Sequence, residues 1–129
     1  MNPYEILSNN QRYAVIGMHP DEDKYANKIY RLLKEKNKTV YGLNPKYEEA
    51  NGDKLYKDLD DLNQDVDVAV FLVNPKIGIY MLESMKKHNI KYHWMQPGSI
   101  DEESKTKAKQ LNLDIVEACV LAVYSIHES

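Results

Sequence analysis

Arg12-Tyr13-Ala14-Val15-Ile16-Gly17-Met18-His19-Pro20, with the helical pattern that starts near Lys24, decides how this chain folds. Tyr13 to Ile16 is an unbroken apolar, partly β-branched run, the pattern of a strand buried on both faces of a parallel sheet. Gly17 stands at its end. Without a Cβ it lets the chain turn sharply and lets a ligand come close to the backbone. Strand, glycine turn and helix together gather free backbone N–H groups and a positive helix end at one spot, a common way of holding phosphate.

The rest of the chain reads as strands and helices added beside this unit. Residues 3–10 suit a short helix, with Pro3 in the first turn and Ile6 and Leu7 on the core. The helix after the first strand covers about 24–37, with Ile29, Leu32 and Leu33 at helical spacing and Asn37 at its end. A second strand, Thr39 to Leu43, stops at Asn44-Pro45, because proline cannot continue a central strand. Residues 46–65 form a polar connection. Within it a turn at Asn51-Gly52 separates two short extended pieces, and Asp58 to Asn63 is a short helical piece. The third strand, Val66 to Val73, stops at Asn74-Pro75 and leads into a helix over about 75–89 with Ile79, Leu82 and Met85 inward. The fourth, Tyr92 to Met95, ends at Gln96-Pro97-Gly98-Ser99. A helix over 101–112 follows, with Asp101, Glu102 and Glu103 at its positive end. Leu113 to Glu117 is a fifth strand, and residues 118–126 suit a short helix and a sixth strand equally. The alternation predicts one α/β domain over residues 1–129: a doubly wound parallel sheet of five or six strands, with helices on both faces and right-handed crossovers.

Composition narrows the function. An apolar fraction of 43% and a charged fraction of 29% are those of an ordinary globular domain. A net charge of −3 with no basic stripe argues against nucleic acid or an anionic membrane as the main partner. No apolar run approaches the roughly 20 residues of a membrane span, and no basic start followed by an apolar stretch announces a signal peptide. Cys119 is the single cysteine, so no intramolecular disulfide can form. The expectation is a cytoplasmic protein, monomer or homodimer.

Gly17, Asn44-Pro45, Asn74-Pro75 and Pro97-Gly98 all fall just after a strand. In a parallel sheet those positions share one edge, the edge at which open α/β sheets bind ligands. The NAD fingerprint is missing: the first turn carries only Gly17, and the second strand ends in Asn44-Pro45-Lys46 rather than in a carboxylate. A lysine there favours a nucleotide with an extra phosphate on its ribose. Walker-A spacing is also missing. His88, His93 and His127 have no zinc spacing with one another or with Cys119, so no metal is assigned. Ser99 and Ser125 lack a histidine at motif spacing, so a serine hydrolase is unsupported.

Val15-Ile16-Gly17, Leu43-Asn44-Pro45-Lys46-Tyr47-Glu48, Val66-Asp67-Val68-Ala69-Val70 leading to Val73-Asn74-Pro75, Trp94-Met95-Gln96-Pro97-Gly98 and Cys119 occur in this order. Together they resemble the small CoA-binding domain proteins, and the N-terminal domain of the succinyl-CoA synthetase α subunit is similar. The resemblance runs from about Ile6 to Cys119. It implies a Rossmann-like fold that binds coenzyme A or an acyl-CoA at the strand C-terminal edge as a stand-alone nucleotide-binding module, without implying a reaction. Carried over, it implies that Gly17, Met18 and His19 line the pyrophosphate through backbone N–H groups. Asn44, Pro45 and Lys46 would flank the adenosine and its 3′-phosphate. Val73, Asn74 and Pro75 would wall the adenine or the start of the pantetheine arm, and Gln96, Pro97 and Gly98 would meet the pantetheine. Where the family commonly has a basic residue in the first loop, this chain has Asp21-Glu22-Asp23 before Lys24, and Lys24 is counted among the candidate cofactor-binding residues. Cys119 is a candidate for contact with the CoA thiol. Two other classes stay open: an acyl-CoA-processing enzyme subunit using His19 or Cys119, and a sensor of another adenine nucleotide.

Overall fold

The computed structural model describes residues 1–128. Helix α1 (Pro3–Asn9) starts from a reciprocal cap, in which Asn2 Oδ1 accepts from the Glu5 amide and Glu5 Oε1 accepts from the Asn2 amide. The strands are β1 (Arg12–Ile16), β2 (Thr39–Leu43), β3 (Glu49–Ala50), β4 (Asp53–Tyr56), β5 (Val68–Phe71), β6 (Tyr92–Met95) and β7 (Ile115–Glu117). They form one sheet in the order β3-β4-β2-β1-β5-β6-β7. Every pairing is parallel except the β3–β4 hairpin. The remaining helices are α2 (Tyr25–Glu35), α3 (Leu59–Leu62), α4 (Pro75–Gly78), α5 (Leu82–Lys87), α6 (Glu102–Gln110) and α7 (Val120–His127), with a 3₁₀ turn at Ile79–Met81.

Strand alternation builds two cores. Tyr13 and Val15 of β1, Val68 and Val70 of β5 and Trp94 of β6 pack with Ile6, Leu7, Ile29, Leu33, Val120 and Tyr124, so α1, α2 and α7 cover that face. Ala14, Ile16, Ala69, Phe71 and Met95 pack with Leu59, Leu62, Leu82, Met85 and Ala108, so α3, α5 and α6 cover the other. The doubly wound Rossmann-like α/β fold is the one the sequence predicts. It differs in detail. The sheet has seven strands because the short pieces around Asn51-Gly52 pair with each other and extend the sheet beyond β2. Of the ambiguous stretch 118–126, the part from Val120 on is helical: the side-chain oxygen of Gln96, the residue after β6, accepts from the Val120 amide at 2.8 Å and so caps α7 from outside. The helix expected over 75–89 is broken in the middle, where Gly78 lies against Val73 and Phe71. Asn37, Asn51, Asn63, Asn89 and Asn112 all adopt positive φ, ending α2, turning the hairpin and ending α3, α5 and α6.

One buried group makes stability depend on pH. His93 on β6 is almost fully buried; its Nδ1 donates to the Asp114 carbonyl at 3.1 Å, and its Nε2 has no partner among the described residues. Burial pushes its pKa below the usual 6.5. In the unfolded chain the ring takes up a proton near that usual value, so the stabilisation is fully present above it and is lost as pH falls through it toward the folded value. Lys86, Lys91 and Asp114 line the small hollow beside the ring, and Asp114 opposes burial by favouring the charged form. The urea midpoint is expected to fall between about pH 7 and pH 5, and less steeply in His93→Asn. Equal slopes for the two proteins would remove His93 as the cause.

Candidate functional site

β1 has β2 on one side and β5 on the other, so the chain leaves β1 toward one half of the sheet and returns through β5 to build the other half. The loops after β1 and β5 therefore part company at the C-terminal edge and leave a crevice between them. Three hollows occupy it. The first, about 260 Å³, is lined by Ile16, Gly17, Leu43, Asn44, Pro45, Val73, Ile77 and Met81, with the lysines Lys46 and Lys57. The second, about 300 Å³, is lined by Gly17, His19, Lys24, Tyr25, Ala26 and Leu72. The third, about 430 Å³, is lined by Tyr25, Leu72, Val73, Asn74, Gln96, Pro97, Gly98, Ser99 and Cys119. Gly17 walls the first two, Tyr25 and Leu72 the last two, and Val73 the first and third. Shared walls make them one trough across the sheet edge.

Gly17 allows this crossing. Its φ is +94°, and a Cβ there would come within 2.5 Å of the Leu72 carbonyl oxygen. The amides of Gly17 and Met18 both donate to the Leu43 carbonyl, at 2.9 and 3.1 Å, so neither is free to face a pyrophosphate as the resemblance implied. Met18 is fully buried beside Gly42 and belongs to the core rather than to the trough. The free donors lie one step further on. The amides of His19, Tyr25, Ala26 and Asn27 make no hydrogen bond among the described residues, and the last three form the open first turn of α2. Lys24, the residue before that turn, supplies a cation and no acceptor that could occupy those amides. The positive end of α2 therefore opens on the second hollow.

His19 is a clamp. Its Nδ1 accepts from the Asp21 amide at 3.0 Å, which leaves the proton of the neutral ring on Nε2, 3.1 Å from Tyr47 Oη. Both ring nitrogens are thus engaged, and the ring ties the first loop to the segment after β2. Asn44 does similar work: its Nδ2 donates to the Met18 carbonyl, and its Oδ1 accepts from the Lys46 amide. Asn74 Oδ1 accepts from the Lys76 amide and caps α4, and Pro75 sits in that helix's first turn without lining the trough. Pro97 and Gly98, with φ +88° at Gly98, form a turn closed by the Ser99 amide on the Gln96 carbonyl at 3.0 Å. Asp21, Glu22 and Asp23 are exposed and line none of the three hollows.

The trough has two characters. Its first hollow has mostly apolar walls between two lysines, and Ile77 remains 59% exposed on its rim. Lys24, Lys46 and Lys57 make no ion pair among the described residues. Glu48, Glu49 and Asp61 line the next hollow outward and not this one. Tyr25, 64% exposed, stands where the second and third hollows meet. Sequence reasoning missed Tyr25, Ala26 and Lys57. The signal for Lys57 is its place just after the short strand β4, and the signal for Tyr25 and Ala26 is that they open the helix behind the glycine turn. Among the described residues no helix is long and apolar enough to cross a membrane, and no group of three or more His, Cys, Asp or Glu side chains could hold a metal ion.

Known proteins share this architecture. The acetate–CoA ligase (ADP-forming) of Methanocaldococcus jannaschii is 31% identical over 134 residues, covering 96% of this chain and 19% of the ligase. The chain spans less than a fifth of the length of the curated relatives it matches. A hypothetical protein from Pyrococcus horikoshii OT3 superposes with a TM-score of 0.89 at 30% identity, covering 97% of this chain and 89% of that one. The dinucleotide-forming acetyl-coenzyme A synthetase 1 of Candidatus Korarchaeum cryptofilum, solved with phosphate and ADP, gives a TM-score of 0.74 at 26% identity, covering 90% of this chain and 27% of that one. The model of the CoA binding domain family matches residues 11–125. With nearly its whole length inside that match, this chain belongs to the CoA binding domain family and is homologous to a part of the ADP-forming acetate–CoA ligases.

Proposed function

We propose that this chain binds coenzyme A in the trough, with the adenosine in the first hollow, the pyrophosphate over the second and the pantetheine arm in the third. The observation that carries the reading is the continuity of the three hollows through Gly17, Tyr25, Leu72 and Val73. Each compartment suits one part of the ligand. Apolar walls between Lys46 and Lys57 suit an adenine whose ribose bears a 3′-phosphate. The open amides of α2 with Lys24 suit a pyrophosphate. The third hollow, the largest of the three by volume and lined in part by Asn74, Gln96 and Ser99, suits the amide-bearing arm. His19 acts as a positioning residue that holds the first loop to Tyr47.

Titration calorimetry tests this directly. Coenzyme A is expected to bind with a Kd in the micromolar range or tighter, and dephospho-CoA about tenfold or more weakly. Coenzyme A should also raise the melting temperature by mass action, whereas NAD should not. Absence of CoA binding, or equal stabilisation by NAD, would overturn the reading.

A further inference from the structure

The lining of the third hollow includes an amide donor from which no described residue accepts. Gln96 is 4% exposed, and its Oε1 accepts from Trp94 Nε1 at 3.1 Å and from the Val120 amide at 2.8 Å. Both partners can only donate, so the orientation of the amide is fixed and its NH₂ is turned away from them. That NH₂ makes no hydrogen bond among the described residues, in a side chain that lines the hollow. Ser99, 6% exposed on the same wall, also has no side-chain hydrogen bond among the described residues. An amide donor that no described residue accepts from, on a side chain that lines the hollow and is otherwise held in place, suits an incoming carbonyl oxygen. Cys119 lines the same hollow, one residue before the amide that fixes Gln96, and it is partly exposed there.

We propose, on the reading that the trough holds coenzyme A, that Cys119 captures the thiol end of that ligand as a mixed disulfide. The last amide carbonyl of the pantetheine arm accepts from the Gln96 NH₂. Only two carbons separate that amide's nitrogen from the sulfur, which brings the sulfur to the wall where Cys119 stands. The co-reactant is the symmetrical disulfide of coenzyme A. The Cys119 thiolate attacks one of its sulfurs, the bond between the two carriers breaks and the bond from Sγ to the attacked sulfur forms. The second coenzyme A leaves as a thiolate and takes up a proton equivalent to the one Cys119 released. One disulfide is consumed and one is made, so no further oxidant is needed. The consequence is a reversible cap that locks the ligand into the trough when the carrier pool is oxidised.

Intact-mass spectrometry of the reduced protein, incubated with CoA disulfide or with glutathione disulfide, is the test. Because Cys119 is the only cysteine, any disulfide adduct reports this site. The expected result is one coenzyme A added, reversed by dithiothreitol, and formed about tenfold or more faster than the glutathione adduct, because binding in the trough holds the sulfur in place. Equal rates would show a thiol that is merely accessible and would overturn the proposal. Titration of Cys119→Ala with reduced coenzyme A separates this from the binding reading. Binding by that variant without an adduct on the wild-type protein sinks the disulfide and leaves the trough assigned. No binding and no adduct sinks both.

Discussion

Gly17→Ala is expected to lower the unfolding free energy by about 2–4 kcal/mol and the melting temperature by roughly 10 °C. Two costs act together. Residue 17 has φ +94°, where an L side chain is strained. The added Cβ would also lie 2.5 Å from the Leu72 carbonyl oxygen and 3.0 Å from Val73 Cγ1. The oxygen has little room to retreat, since the Leu72 amide is bonded to the Ile16 carbonyl at 2.8 Å and continues the ladder from β1 to β5. Relief must therefore come from pushing the two loops apart, which deforms the crevice itself. Coenzyme A binding is expected to be lost even at temperatures where the variant is folded. Gly52→Ala is the control: Gly52 has φ +80° but no atom within 4 Å of its would-be Cβ, so it carries strain alone, at about 1–2 kcal/mol. If thermal melts gave the same loss for both variants, close approach would have no part in it.

The fold was legible because its signals are local. The apolar run around Val68–Phe71 and the prolines at 45 and 75 mark strand and stop without reference to anything distant. The short hairpin at Glu49–Tyr56 was visible only as a turn at Asn51-Gly52, because a two-residue strand carries no alternation. Lys57 was missed with it. The helix at Val120–His127 was ambiguous for another reason. Its cap comes from Gln96, just past β6 and twenty-four residues earlier in the chain. Residue roles in the first loop fared similarly. Met18 follows a glycine turn and looks like loop, yet it is drawn into the core beside Gly42. The ring of His19 is engaged by Tyr47 at 3.1 Å, whereas its amide makes no hydrogen bond among the described residues and is the one amide of Gly17, Met18 and His19 that stays open as the resemblance implied. A sequence shows which residues end strands; it does not show which amides another strand has already occupied, as Leu43 occupies those of Gly17 and Met18.

Replacing both Lys46 and Lys57 by alanine is expected to weaken coenzyme A binding about 30- to 100-fold and to leave dephospho-CoA within about threefold. Lys46 and Lys57 line a hollow whose other walls are chiefly apolar, and neither makes an ion pair among the described residues. No ion pair has to be broken when a phosphate arrives, and the attraction is reduced by solvent, by salt and by Glu48, Glu49 and Asp61, which share the neighbouring hollow with both lysines. Both side chains are exposed, which keeps each contribution near tenfold or below and makes it fall as ionic strength rises. The α2 amides and Lys24 remain in the double variant, so the pyrophosphate half of the binding should persist. Titrations of both ligands at low and moderate salt separate the alternatives. A loss shared equally by coenzyme A and dephospho-CoA would move the lysines from the 3′-phosphate to the pyrophosphate and reverse the direction in which the ligand lies along the trough. No loss for either would place the adenosine outside the hollow between β1, β2 and the segment Ile77–Met81.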